Sequence, residues 1–152
     1  MTHTSTAPGT DPRSAATRPT SVPTSARDLV VLRLPAAGAY LSVLRTATAS
    51  LAARLPFTLD DIEDLRIAVD EACAMLLTQA RAGAELECAF ELTGDALGID
   101  VSVLTLDGEQ PARDTFAWTV LTALAGEVDS AVDADGRVTL SMVKRVAVVA
   151  PV

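Results

Sequence analysis

Two adjacent carboxylates, Asp70 and Glu71, stand inside the apolar run VDEACAMLL, Val69 to Leu77. A carboxylate beside a core is costly unless it is paired, solvated or put to use. Used, such groups are general acids and bases; unused, they mark the solvated edge of a helix. On a helix, Glu71 shares a face with Asp64, Ala68, Met75 and Thr78, at offsets of three, four and seven. Val69, Ala72 and Leu76 lie on a different face, so spacing alone favours a solvated pair flanking a buried stripe. Few other residues have types suited to chemistry. Asp107-Gly108 is either an ordinary turn or a ligand-binding loop. Arg45 lies within a helix-patterned segment, and Cys73 and Cys88 are the only thiols. His3 is the only histidine and lies far from all of these. That removes histidine general bases, Ser-His-Asp triads and most zinc sites from the body of the chain, and no metal site is expected.

Several elements must position these residues. Asp28 to Leu34, DLVVLRL, is dense in Val and Leu and ends at Pro35, which predicts a first strand at a sheet edge. Leu41, Leu44, Leu51 and Leu55 recur at helical spacing, so Ala37 to Leu55 is expected to be a helix stopped by Pro56. Thr58 can cap a second helix running to about Gln79. Its first turns hold Asp60, Asp61, Glu63 and Asp64, which suit the positive end of the helix dipole. Ile62, Leu65, Val69, Ala72 and Leu76 form its expected buried stripe. Strands follow at Glu85 to Leu92 and Ile99 to Leu106, joined at Gly94-Asp95, and a third helix is expected over Thr115 to Leu124. Val128 to Val132 and Arg137 to Val146 then make a hairpin around Asp133-Ala134-Asp135-Gly136. The order β-α-α-β-β-α-β-β implies a two-layer α/β (α+β) sandwich with helices on a mostly antiparallel sheet.

Composition bounds what this domain does. The chain has 152 residues, 49% of them hydrophobic, which suits one compact domain. Residues 1–26 are rich in Thr, Ser, Pro and Ala, with almost no large apolar side chains, and read as a disordered tail. The domain is placed at 27–146, with 147–152 as a short C-terminal tail. From Arg27 onward there are 10 basic and 19 acidic residues, a net charge of −9. Such a surface repels phosphate backbones and excludes nucleic acid as the main partner; it favours a basic protein. No apolar run approaches the roughly 20 residues that span a bilayer, and the N-terminus lacks the apolar core of a secretory signal, so a cytoplasmic protein without membrane contact is expected. Both cysteines have apolar neighbours, so buried reduced thiols are expected, with a regulatory disulfide as the alternative.

At LRIAVDEACAMLL the chain resembles a known family. The segment looks like the conserved-motif helix of the GHKL ATPases, in the RsbW-like branch of bacterial anti-sigma factors that double as serine-protein kinases. That branch typically reads V-S-E-A-x-T-N-A here. The entry Pro56-Phe57-Thr58-Leu59-Asp60-Asp61 and the later DTFAWTVLTALAGEVDSAV are also similar to it. The resemblance covers about Asp28 to Lys144 and implies the GHKL, histidine-kinase-type ATPase fold. It also assigns roles. Glu71 matches the general base, and Asp70 stands where Ser is common. Met75 replaces the Asn that holds Mg²⁺, and a thioether is a poor ligand for that hard cation. Asp107 and Gly108 match the adenine-reading Asp-x-Gly-x-Gly motif, with Gly108 one place early and the second glycine missing. Thr115 and Ala117 replace the glycines that cradle phosphates at the start of the last helix, and the lid before it is cut to about Glu109 to Asp114.

The resemblance therefore implies a kept fold with ATP and Mg²⁺ binding and kinase activity weakened or lost, leaving no cofactor, or ATP/Mg²⁺ where residual binding persists. What remains is partner binding. Arg45 matches an arginine by which the family contacts both a sigma factor and its antagonist; the bland alternative is a solvated arginine covering apolar surface with its stem. The implied function is an anti-sigma factor, acting as a homodimer, that sequesters an alternative sigma factor of the stress or sporulation type. A STAS-domain anti-anti-sigma factor would displace it in a partner switch. The alternatives are an active serine kinase of that antagonist and a non-sigma interaction module on the same scaffold.

Overall fold

A computed structural model of the chain describes Gly9 and residues 27–148. Apart from Gly9, the tail expected over 1–26 lies outside the described residues, as do the last four of the chain.

Five strands form one sheet: β1 (Asp28–Pro35), β2 (Glu85–Leu92), β3 (Ala96–Leu104), β4 (Glu127–Val132) and β5 (Arg137–Arg145), in the order β1-β2-β3-β5-β4. Every pairing is antiparallel. The sheet is thus wholly rather than mostly antiparallel, and β1 takes the expected edge. Three helices cover one face: α1 (Leu41–Ala52), α2 (Leu59–Leu77) and α3 (Phe116–Ala125). The inward positions Cys88, Phe90, Leu97, Ile99, Val101, Leu140 and Met142 meet Leu44, Leu65, Val69, Ala72, Leu76 and Leu121 in one core. The opposite face is polar, with Glu87, Asp100, Ser102, Thr139 and Ser141 at matched positions of the ladder.

The helix signals act through identifiable bonds. The Asp61 backbone N–H donates to Thr58 Oγ1 at 3.1 Å, and the Thr58 N–H donates to Asp61 Oδ2 at 3.0 Å. This reciprocal cap satisfies two of the donors that a helix start leaves open. The Trp118 N–H donates to Thr115 Oγ1 at 3.2 Å and caps α3 with a single bond, without the return bond seen at α2. Gly126, at φ +88°, ends α3 in a conformation costly for any side chain.

Several boundaries depart from expectation. Residues 38–40 form a 3-10 turn, so α1 begins at Leu41 and ends at Ala52 rather than Leu55. Helix α2 stops at Leu77. Strand β3 starts three residues earlier than expected and ends two earlier, because Ala96 and Leu97 pair with Arg145 and Lys144. Thr105 leaves the ladder and bridges to Ala80. The buried side of α2 is also wider than its expected stripe. Ala68 and Cys73 are fully buried, because α2 packs between α1 and α3 as well as on the sheet.

Candidate functional site

Asp70 and Glu71 part company on α2. Asp70 turns to α1, where its Oδ1 lies 3.1 Å from Arg45 Nε. Both atoms are buried, yet neither makes an aligned hydrogen bond. The contact is therefore an ion pair without hydrogen-bond geometry. Nothing in the linear sequence joins Arg45 to Asp70, since they lie on separate helices; only the packing of α1 on α2 brings them together. Glu71 is half-buried and forms no hydrogen bond or ion pair with another described residue. One turn on, Met75 is packed against the edge of the core.

Asp107 and Gly108 lie beyond the end of β3, in a turn built by a chain of bonds. The buried Thr105 is its hub: its hydroxyl donates to the Gly136 carbonyl at 2.6 Å and accepts from the Gly108 N–H at 2.8 Å. Arg81 Nε donates to the Thr105 carbonyl at 2.8 Å. Gly108, at φ +65°, packs against Gly136; a Cβ added to Gly108 would sit 3.6 Å from the Gly136 Cα. Asp107 is exposed, and its Oδ1 accepts from the Glu109 N–H at 3.2 Å. A cavity of about 390 Å³ lies elsewhere, at the β1 edge, while the one beside Asp107, about 340 Å³, is lined by Arg81, Thr105 and the Asp133 to Gly136 turn, with no residue of α2. Asp107 and Glu71 thus do not share that cavity. The turn locks two loops together, and Thr105 was the signal the sequence hid.

The start of α3 is closed by its own side chains. Thr115 occupies the cap position, and Trp118 is buried in the core. Phe116 is 84% exposed, so of the two aromatic residues only Trp118 packs. Arg113 clasps the shortened loop. Its guanidinium lies 4.8 Å from the Trp118 ring centre, and its Nη2 donates to Asp129 Oδ1 at 2.7 Å. The Asp129 carboxyl is held below its ordinary range, chiefly by that hydrogen bond.

The acidic run at the start of α2 is mostly consumed internally. Asp61 serves the cap and pairs with Lys144 at 3.7 Å, Asp64 pairs with Lys144 at 3.9 Å, and Glu63 pairs with Arg66 at 2.7 Å. Asp60 alone of the four has no such partner among the described residues. The run therefore offers a basic partner less charge than its sequence suggests. Cys73 and Cys88 are buried and unbridged. Burial pushes the Cys73 thiol up to about 12 and raises Cys88 as well, so neither forms a reactive thiolate near neutral pH.

Among the described residues no group of three or more His, Cys, Asp or Glu is placed to hold a metal ion. Nor is any helix among them long and apolar enough to cross a membrane.

No family model matches the chain. It is 32% identical over 90 residues to the anti-sigma-F factor RsbW of Mycobacterium tuberculosis, covering 59% of this chain and 54% of that protein. It is 40% identical over 97 residues to the serine-protein kinase RsbW of Bacillus velezensis, covering 60% and 61%. The chain spans about half the length of the relatives it matches. Among solved structures, the RsbU and RsbW domains of a Mycobacterium tuberculosis protein superpose with a TM-score of 0.60 at 18% identity, over 78% of this chain and 32% of that one. The chain is thus similar in sequence to RsbW anti-sigma factors and serine-protein kinases, and its sandwich of helices on an antiparallel sheet is a fold shared with a solved structure of RsbU and RsbW domains.

Proposed function

We propose, for a chain whose relatives are RsbW proteins, that it is a cytoplasmic anti-sigma factor working by sequestration rather than by phosphorylation. It binds an alternative sigma factor, blocks its access to core RNA polymerase, and yields to a STAS-domain anti-anti-sigma factor. It acts as a dimer, and Arg45 on the α1–α2 surface is a partner contact.

One observation carries the non-enzymatic half of this reading: the residues at the nucleotide positions have taken up packing and capping. Met75 lies against the core where the family holds Mg²⁺, and a thioether does not suit that ion. Thr115 fills the helix start where a phosphate would accept the same N–H groups. Gly108 is packed on Gly136 rather than open to a base. These residues do not fit a magnesium-bound triphosphate, and no catalytic step is assigned to one. A second reading, an active serine kinase, draws on Glu71, which matches the family's base and is unpaired among the described residues.

The test is a pull-down from cell lysate with the full chain as bait, together with a Mg-ATP phosphorylation assay on the retained STAS protein. Retention of a sigma factor is expected. Its absence under every condition sinks the anti-sigma reading and leaves a non-sigma interaction module. Phosphate incorporation that disappears in Glu71→Ala restores the kinase.

A further inference from the structure

Among the described residues, Arg45–Asp70 is the one ion pair whose two contacting atoms are both buried without a hydrogen bond. Its two contacting atoms, Arg45 Nε and Asp70 Oδ1, are two of only four buried side-chain polar atoms without a hydrogen bond among the described residues. Yet the side chains as a whole remain 42% and 36% exposed. Buried polar atoms in native proteins are almost always hydrogen-bonded, and those that are not need a reason. Here the guanidinium is drawn down onto α2 by charge alone, while the rest of its surface stays open. Ile67, one turn before Asp70 on the same face of α2, is 46% exposed and extends an apolar shoulder beside the pair.

The geometry points to Asp70 as an intramolecular stand-in for a partner's carboxylate. In the free protein it occupies Arg45 with a poorly aligned contact. A carboxylate from a protein partner that meets the guanidinium with two aligned hydrogen bonds forms a stronger pair and displaces it. Asp70 thereby sets what Arg45 accepts: a fork-shaped acidic group competes successfully, and a single neutral acceptor does not. This deepens the proposed function and rests on Arg45 being a partner contact. An exposed ion pair is worth at most about 1 kcal/mol, so removing the competitor tightens carboxylate binding by up to about fivefold.

The test uses the full chain and Asp70→Ser, with sodium acetate as a carboxylate probe and sodium chloride at equal ionic strength as control. The Arg45 Nε–Hε resonance is followed by NMR. Asp70→Ser is expected to gain mobility at that resonance and to respond to acetate at a concentration about threefold lower than wild type. Thermal melts by circular dichroism confirm that the variant folds. An Arg45 signal unchanged by Asp70→Ser, or an equal or weaker acetate response, overturns the proposal. Any sigma factor retained in the pull-down should bind Asp70→Ser more tightly than wild type and Arg45→Ala more weakly; equal binding to Asp70→Ser overturns the competitor role. With no sigma factor retained, the anti-sigma reading fails while the acetate experiment still decides the stand-in.

Discussion

Replacing Lys144, the only lysine of the chain, by methionine keeps the aliphatic stem and removes the charge. Its Nζ donates to the Leu124 carbonyl at 2.9 Å, in the last turn of α3, and reaches Asp61 and Asp64 at the start of α2. The side chain is only 16% exposed. The hydrogen bond from a charged donor to a helix-terminal carbonyl is worth about 1.5–3 kcal/mol. The two ion pairs, at 3.7 and 3.9 Å, add about 1 kcal/mol or less, since both carboxylates keep contact with water. In the variant, water can reach the freed carbonyl at the helix end and recovers part of the loss. Lys144→Met should therefore destabilise by about 2 kcal/mol and lower Tm by roughly 8 °C for a domain of this size. Equilibrium urea denaturation measures it directly, with the midpoint falling and the slope unchanged. A loss below about 0.5 kcal/mol would mean that Lys144 is solvated rather than clamped, and the account of how α2 and α3 are joined at this end would fail.

Three further outcomes are expected. The Thr58 backbone N–H chiefly holds the Asp61 carboxyl below its usual range. A depressed carboxylate contributes stability that is present above its unfolded value near 4 and is lost as pH falls through the folded one. Asp61→Asn should therefore flatten the stability–pH profile below about pH 4, and a profile identical to wild type would remove Asp61 as a cause. Cys73 and Cys88 should resist Ellman's reagent at pH 8 in the native protein and both react after unfolding; fast labelling of either native thiol would contradict their burial. Gly126→Ala should cost more than about 1 kcal/mol in thermal denaturation, because φ is +88° and the new Cβ would lie 3.3 Å from the Val143 carbonyl. A neutral result would show that the α3–β4 turn relaxes.

Much of the fold was legible because it rests on local signals. The Thr58 cap, the Leu spacing of α1 and the Asp133 to Gly136 turn each act within a few residues, and each produced its element. The edge position of β1 could also be read, from Pro35. What escaped was set by packing between distant segments. Ala96-Leu97-Gly98 looks like a turn until Lys144 and Arg145 pair with it. The width of the buried face of α2 depends on how many neighbours it has. At the candidate site, Met75, Thr115 and Ala117 could be singled out from the chain alone. The Arg45–Asp70 contact, the Lys144 clamp and the Thr105 hub were not, since each joins residues on separate elements.

The edge strand also has a consequence in time. Strands β2 and β3 form a hairpin, as do β4 and β5, and each can close from nearby residues alone. Strand β1 has only β2 to pair with, and Arg27 meets Glu91 across 64 residues of sequence. On a ribosome adding about 5–20 residues per second, DLVVLRL waits roughly 3–13 s for its ladder partner. Throughout that interval an apolar strand with both edges open is available to other nascent chains. Its flanking charges, Arg27 and Asp28 at one end and Arg33 within, are the local features that discourage such pairing before β2 arrives.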